Sequence, residues 1–162
     1  MTEIVNLNGF DIRFELHGEG IPMVYMPGGF YPLEQGRLMA ERLTALGYQV
    51  LLWDRPNTGE SGLIFSGDNL LEIWADKLRE LLHYTGLSPA IIAGGSAGGL
   101  GALYFAYLYP AEVKDGRDCK PQWLRYTLRS SWGRYPYCVH DWRFLPSRTG
   151  PIDGREAKNP RS

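Results

Sequence analysis

Cysteine is almost missing from this chain, two residues in 162, and histidine is scarcely commoner at three. Cys119 and Cys138 have no metal-ligand spacing, so they read as incidental thiols and no metal site is expected. His17, His83 and His140 are the only imidazoles available for acid–base work. No apolar run approaches the ~20 residues of a spanning helix, so no membrane partner is expected. Met1-Thr2-Glu3 carries neither the basic nor the apolar region of a secretory leader, and the expected location is cytoplasmic. Strong net charge is lacking too, since the formal balance is −1. That balance hides a break. Residues 1–113 hold six of the 17 basic and 13 of the 18 acidic side chains, which leaves eleven basic and five acidic for residues 114–162. What is present suits a soluble globular domain: 44% hydrophobic and 22% charged residues, and length enough for one sizeable core.

Glu3–Leu7 and Phe10–Leu16 alternate apolar and polar residues around Asn8-Gly9, which predicts a β-hairpin. Met23–Met26 is a continuous apolar run suited to a strand buried on both faces. It ends in Pro27-Gly28-Gly29-Phe30. Residues 33–46 read as a helix with Leu38, Leu43 and Leu46 inward and Gly47 as its stop. A strand follows at Gln49–Trp53 and leads into a polar loop, Asp54–Gly62. Leu70–Tyr84 is the clearest helix, with Leu71, Trp74, Leu78, Leu81 and Leu82 on one face, Asp68 or Asn69 as N-cap and Gly86 as stop. A strand at Pro89–Ala93 and a helix at Leu100–Tyr109 complete the pattern. Strands alternating with helices predict an α/β fold, a mainly parallel sheet with helices on both faces. The loops at Pro27, Asp54 and Gly94 all follow strands, so they are expected to meet at one rim, where ligands sit in such sheets.

Gly94-Gly95-Ser96-Ala97-Gly98 reads G-x-S-x-G between a strand and a helix. In that setting the glycines allow a turn too sharp for a Cβ, and the turn lifts a serine hydroxyl above the sheet. With Met26-Pro27-Gly28-Gly29 and the Asp54–Ser61 loop, the motif makes the first 113 residues resemble an α/β-hydrolase, similar to proline iminopeptidase-like and to ester- or carbon–carbon-bond-hydrolysing members. Two departures stand out: Pro27 replaces the usual histidine of the first turn, and only Gly59 is kept in the second loop. The resemblance implies acyl transfer without a cofactor on a small-molecule ester, lactone or amide. Ser96 is the implied nucleophile. The N–H of Ala97, joined by that of Gly29 or Phe30, is the implied oxyanion hole. Phe30 and Tyr31 read equally as acyl-pocket lining or as core packing.

The family's chain order is serine, acid, histidine. Downstream of Ser96 it points to Asp118 (or Asp115) as acid and His140 as base, while His17 and His83 read as structural or solvated. Residues 114–162 do not look like a continuation of the fold. They are rich in Arg, Trp, Pro and Tyr and show neither a strand nor a helix period. Shifting codons for Asp115–Lys120 by one nucleotide permits a Met-Val-Val-Ile-Val-Asn strand, the kind of run that Val113 should lead into. The expected division is therefore a hydrolase-like core at 1–113 and an out-of-frame basic tail at 114–162, with no nucleic-acid partner. Two other readings stay open. Gly95–Gly101 also fits a dinucleotide-binding turn that delivers a pyrophosphate to a helix N-terminus. The chain can also be a catalytically impaired hydrolase fragment.

Overall fold

The computed structural model describes residues 2–65 and 69–114. Asn8 and Gly9 both adopt the left-handed backbone, at φ 52° and 79°, as a two-residue hairpin turn demands. They join β1 (Thr2–Leu7) to β2 (Phe10–His17), with Leu7 opposite Phe10. β2 runs antiparallel to β4 (Tyr48–Trp53), pairing Phe14 with Trp53 and His17 with Val50. β3 (Ile21–Met26) lies parallel to both β4 and β5 (Ile91–Gly94). The order across the sheet is β1-β2-β4-β3-β5. The expected α/β architecture is therefore present, with an antiparallel hairpin along one edge.

Period-two alternation divides each parallel strand between two cores. Val24, Met26, Leu51, Trp53 and Ile92 face one side, where they pack with α2 (Leu70–Thr85) and α3 (Ala97–Leu108). Met23, Val50, Leu52, Ile91 and Ala93 face the other, against α1 (Arg37–Thr44). Burying each such side chain stabilises the fold by about 1.5–3 kcal/mol. The chain leaves β3 through α1 toward β4 on one side, and α2 brings it back to β5 on the other. The crevice beyond the carboxyl ends of β3 and β5 is thus the switch point of this sheet.

The helix expected over residues 33–46 is shorter than predicted and turned differently. Leu33–Gly36 is a 3₁₀ turn, and α1 begins only at Arg37. Leu38, expected inward, is 61% exposed. Leu43 is buried as expected, Gly36 and Ala40 face the sheet beside it, and a Cβ on Gly36 would lie 2.8 Å from Leu52 Cδ2. Small residues at i and i+4 let α1 approach β4 closely, and that close approach fixes its inward stripe.

α2 follows its sequence signals. Asn69 Oδ1 accepts from the Leu71 N–H at 3.1 Å, a cap worth about 1 kcal/mol. Gly86 closes the helix at φ 69°. Trp74, Leu78, Leu81 and Leu82 are buried, and Leu71 packs partly buried beside them. α3 starts at Ala97, three residues before the expected Leu100, because Gly98, Gly99 and Gly101 all serve as buried helix positions. Beyond a 3₁₀ turn at Pro110–Glu112, Val113 bridges Ala90 in parallel. Ala90 N–H donates to Glu112 O and Lys114 N–H to Ala90 O. Val113 and Lys114 thus lie along Ala90, at the start of β5, where the chain was expected to lead into an apolar strand. Among the described residues no helix is long and apolar enough to cross a membrane, and no group of His, Cys, Asp or Glu could hold a metal ion.

Candidate active site

The link from β5 to α3 is the most constrained turn at this rim. Ser96 sits at φ 50°, ψ −120°, a conformation that costs a non-glycine residue about 1–3 kcal/mol. A Cβ on Gly94 would lie 2.5 Å from the Gly98 carbonyl carbon, and one on Gly98 would lie 2.2 Å from Met26 O. Both outer glycines of G-x-S-x-G are therefore sterically required, whereas Gly95 faces open space. Gly95 N–H donates to Met26 O at 3.1 Å, and Gly98 N–H donates to Gly95 O at 2.9 Å. The turn is thereby pinned to the end of β3. Ser96 stands at the N-cap position, yet its side chain does not cap the helix. Serine at an N-cap ordinarily spends its oxygen on a backbone N–H. Here the unusual backbone withholds the hydroxyl, which is exposed at the rim.

Ala97 opens α3, so its N–H belongs to the first turn, where a helix has no internal acceptor and its dipole is positive. The loop after β3 closes against the same spot. A Cβ on Gly28 would lie 3.3 Å from Ser96 Cβ. Gly29 is left-handed at φ 54°. Phe30 is 61% exposed and meets Trp74 edge-on at 5.9 Å. Tyr31 is exposed as well, so neither aromatic is core packing.

The third loop arrives through Arg55, whose Nη2 donates to Gly29 O at 2.8 Å. Asp54, beside it, is a structural carboxylate. It accepts from Leu33 N–H at 2.7 Å, Glu60 N–H at 3.0 Å and Arg13 Nη1 at 3.2 Å. Gly59 must be glycine, since a Cβ there would lie 2.0 Å from Asp54 Oδ2. Ser61 completes the staple: its hydroxyl donates to Asp54 O and accepts from Arg13 N–H. Hydrogen bonds that Arg13 donates to Glu34 and then to Asp54 raise its pKa, against the opposing pull of burial. All three loops expected at one rim do meet there.

His17 and His83 lie at the other rim. His17 pairs with Val50, three residues from the Trp53 end of β4, and contacts Glu15 at 2.9 Å. His83, in the last turn of α2, contacts Glu112 at 2.8 Å, near the start of β5. Their structural reading fits. His140, Asp118 and Asp115 lie outside the described residues, as do Cys119, Cys138 and the rest of the basic tail. The sequence gives no sign that Arg55 and Arg13 serve this rim, or that Trp74, expected only on the packing face of its helix, does so. Their partners are 18 to 48 residues away in the chain, and no local pattern announces such contacts.

No protein-family model matches the chain. A 2-hydroxy-6-oxononadienedioate/2-hydroxy-6-oxononatrienedioate hydrolase of Dechloromonas aromatica is 32% identical over 120 residues, 69% of this chain and 42% of that protein. A putative carbamate hydrolase, RutD, of Azorhizobium caulinodans is 31% identical over 109 residues, 64% of this chain and 38% of that one. Among solved structures, MGS-M2, an α/β-hydrolase enzyme from a Medee basin deep-sea metagenome library, superposes with a TM-score of 0.64 at 26% identity. That match covers 70% of this chain and 42% of the other. The chain thus spans about two fifths of the length of the curated relatives it matches. Over about 70% of its length, the chain belongs to the α/β-hydrolase superfamily.

Proposed function

We propose that the chain carries the nucleophile side of a serine hydrolase acting on a small ester, lactone or amide, without metal or cofactor and in the cytoplasm. Ser96 attacks the carbonyl carbon. Ala97 N–H and an N–H from Gly29 or Phe30 receive the developing oxyanion, each such donor being worth about 10²–10³ in rate. The helix dipole of α3 adds favourable potential at the same point. The observation that carries this reading is the serine itself, strained, exposed and withheld from capping its own helix. Strain persists where surrounding structure over-determines it, and functional sites are where it collects. The relatives' names support hydrolysis: a 2-hydroxy-6-oxononadienedioate/2-hydroxy-6-oxononatrienedioate hydrolase and a putative carbamate hydrolase.

Serine needs a base to accept its proton and an acid to orient that base. The chain-order candidates are His140 with Asp118 or Asp115, in a tail proposed to be out of its native frame. A second reading is favoured by a specific observation: neither described histidine lies at the rim of Ser96. It holds that the chain binds acyl compounds but turns them over weakly. Hydrolysis of p-nitrophenyl acetate distinguishes the two. Active wild-type chain and a Ser96→Ala variant reduced about 10³-fold or more support the serine hydrolase. Equal rates for both overturn it.

The dinucleotide reading has less support. A pyrophosphate at this turn needs free N–H groups, and that of Gly98 is already given to Gly95 O.

A further inference from the structure

Near this rim one buried cation has no ion-pair partner among the described residues. Arg55 is 0% exposed. Its guanidinium lies over the Trp74 ring, Cζ 4.5 Å from the centroid, and Trp74 is held in turn by its Nε1–H bond to Pro56 O. Nη2 donates to Gly29 O at 2.8 Å, while Nε and Nη1 are buried with no hydrogen-bond partner among the described residues. Asp54 does not pair with it, because its oxygens are taken by Leu33, Glu60 and Arg13. Desolvation accordingly holds the guanidinium down to about 10. Burying a cation this way opposes folding, and an aliphatic side chain of similar volume would fill the space at less cost. The one strong bond it makes is therefore the place to look for its role.

We propose that Arg55 is a positioning residue for the oxyanion hole: by holding the Gly29 carbonyl it fixes the orientation of the Gly29–Phe30 peptide beside Ser96. The proposal rests on the reading of Ser96 as nucleophile. Gly28 and Gly29 lack side chains, so the backbone between them and Phe30 has little intrinsic preference. Carbonyl and N–H of a trans peptide point in opposite directions. With Gly29 O drawn onto Arg55, the Phe30 N–H is turned away from the guanidinium. A flipped peptide would instead offer an oxygen lone pair where negative charge develops. Phe30 packs edge-on against the same Trp74 that carries Arg55, so both sides of this peptide are tied to one platform.

A substrate carboxylate is the competing role for a buried arginine, and the geometry disfavours it. Both edges of a guanidinium that can grip a carboxylate with two N–H groups include Nη2; Gly29 O takes one of its two N–H groups and so closes one edge, and the whole side chain is 0% exposed. The two unpartnered nitrogens, Nε and Nη1, share no such edge.

The test compares the full chain with Arg55→Met and Arg55→Lys, the latter keeping one N–H donor for Gly29 O. With p-nitrophenyl acetate, Arg55→Met is expected to lower kcat about 10- to 100-fold, less than outright loss of a donor, with KM little changed. Its thermal midpoint is expected to be unchanged or higher, since a desolvated cation has gone, and Arg55→Lys recovers part of the rate. Wild-type kcat in Arg55→Met overturns the proposal. A kcat that falls only in step with a lowered midpoint makes Arg55 merely structural and also overturns it. A KM rise confined to carboxylate-bearing esters assigns it to substrate binding instead. If the wild-type chain hydrolyses nothing, the reading of Ser96 fails and Arg55 is judged by NMR. A Phe30 amide signal displaced in Arg55→Met and restored in Arg55→Lys supports the restraint; an unmoved signal overturns it.

Discussion

The two ends of β5 each present a serine, and the two are treated in opposite ways. At the amino end, the Ser88 hydroxyl donates to Glu112 Oε2 at 3.2 Å. That carboxylate also accepts from Arg79 and His83, and Tyr109 beside it donates to Asp76. Each of these side chains is spent on another. At the carboxyl end, Ser96 is strained, does not cap its own helix and is flanked by the first-turn N–H groups of α3, and the cation one loop away keeps two nitrogens without a partner among the described residues. A satisfied polar cluster stabilises a turn. An under-satisfied one, kept in place by steric closure, leaves hydrogen-bonding capacity for something outside the chain.

The largest way to break this contrast is to exchange the serines' fates. Ser96→Ala is expected to remove about 10³-fold or more of any esterase rate, while Ser88→Ala leaves the rate unchanged and loses about 1 kcal/mol of stability at most. Parallel rate and urea-denaturation measurements check both. Next come the glycines. Gly98→Ala drives a Cβ to 2.2 Å from Met26 O, and the expected loss is about 3 kcal/mol or more. Gly95→Ala meets nothing within 4 Å and should stay within about 0.5 kcal/mol of wild type. Equal losses in the two variants would mean that the turn is not closed as described.

A smaller effect sharpens the same contrast through pH. Hydrogen bonding from Arg37, aided by Thr2 and His17 and opposed by burial, holds Glu15 near 2, below its ordinary 4.5. A depressed carboxylate contributes stability that is fully present above its unfolded pKa and is lost as pH falls through the folded value. The thermal midpoint should therefore drop as pH falls from about 4.5 toward 2, and Glu15→Gln should flatten that slope. Glu112 acts in the same direction: burial pushes it up, but Arg79 and His83 together outweigh burial and lower it. Glu112→Gln should lower the midpoint slightly at pH 7 and leave chemistry at Ser96 untouched.

Where a signal is local, the sequence announced the structure well. Asn8-Gly9 specifies the hairpin, Asn69 and Gly86 bound α2, and the alternation of elements specifies the parallel sheet. The failures share one physical cause, long-range contact. Gly36 and Ala40 set the inward face of α1 because β4 comes close, and no apolar period records that; Leu38 misled because it is apolar and exposed. Three buried glycines disguised the first turns of α3 as loop. The elbow was legible because G-x-S-x-G encodes a local steric problem, whereas the Arg55–Gly29 bond joins loops 26 residues apart. Val113 bridges Ala90 where the pattern called for a following strand, and the codons beyond it are the natural place to look for a shifted frame. Resequencing across Lys114–Lys120 is expected to find one inserted or deleted nucleotide; an intact frame would remove that explanation of the basic tail.

The central claim is that Ser96 is the uncommitted nucleophile of this rim. Treating the folded chain with a fluorophosphonate and mapping the adduct by peptide mass spectrometry tests it most directly. A single label on Ser96 is expected, abolished in Ser96→Ala and retained in Ser88→Ala. A label on another serine, or a folded chain that takes none, would contradict it.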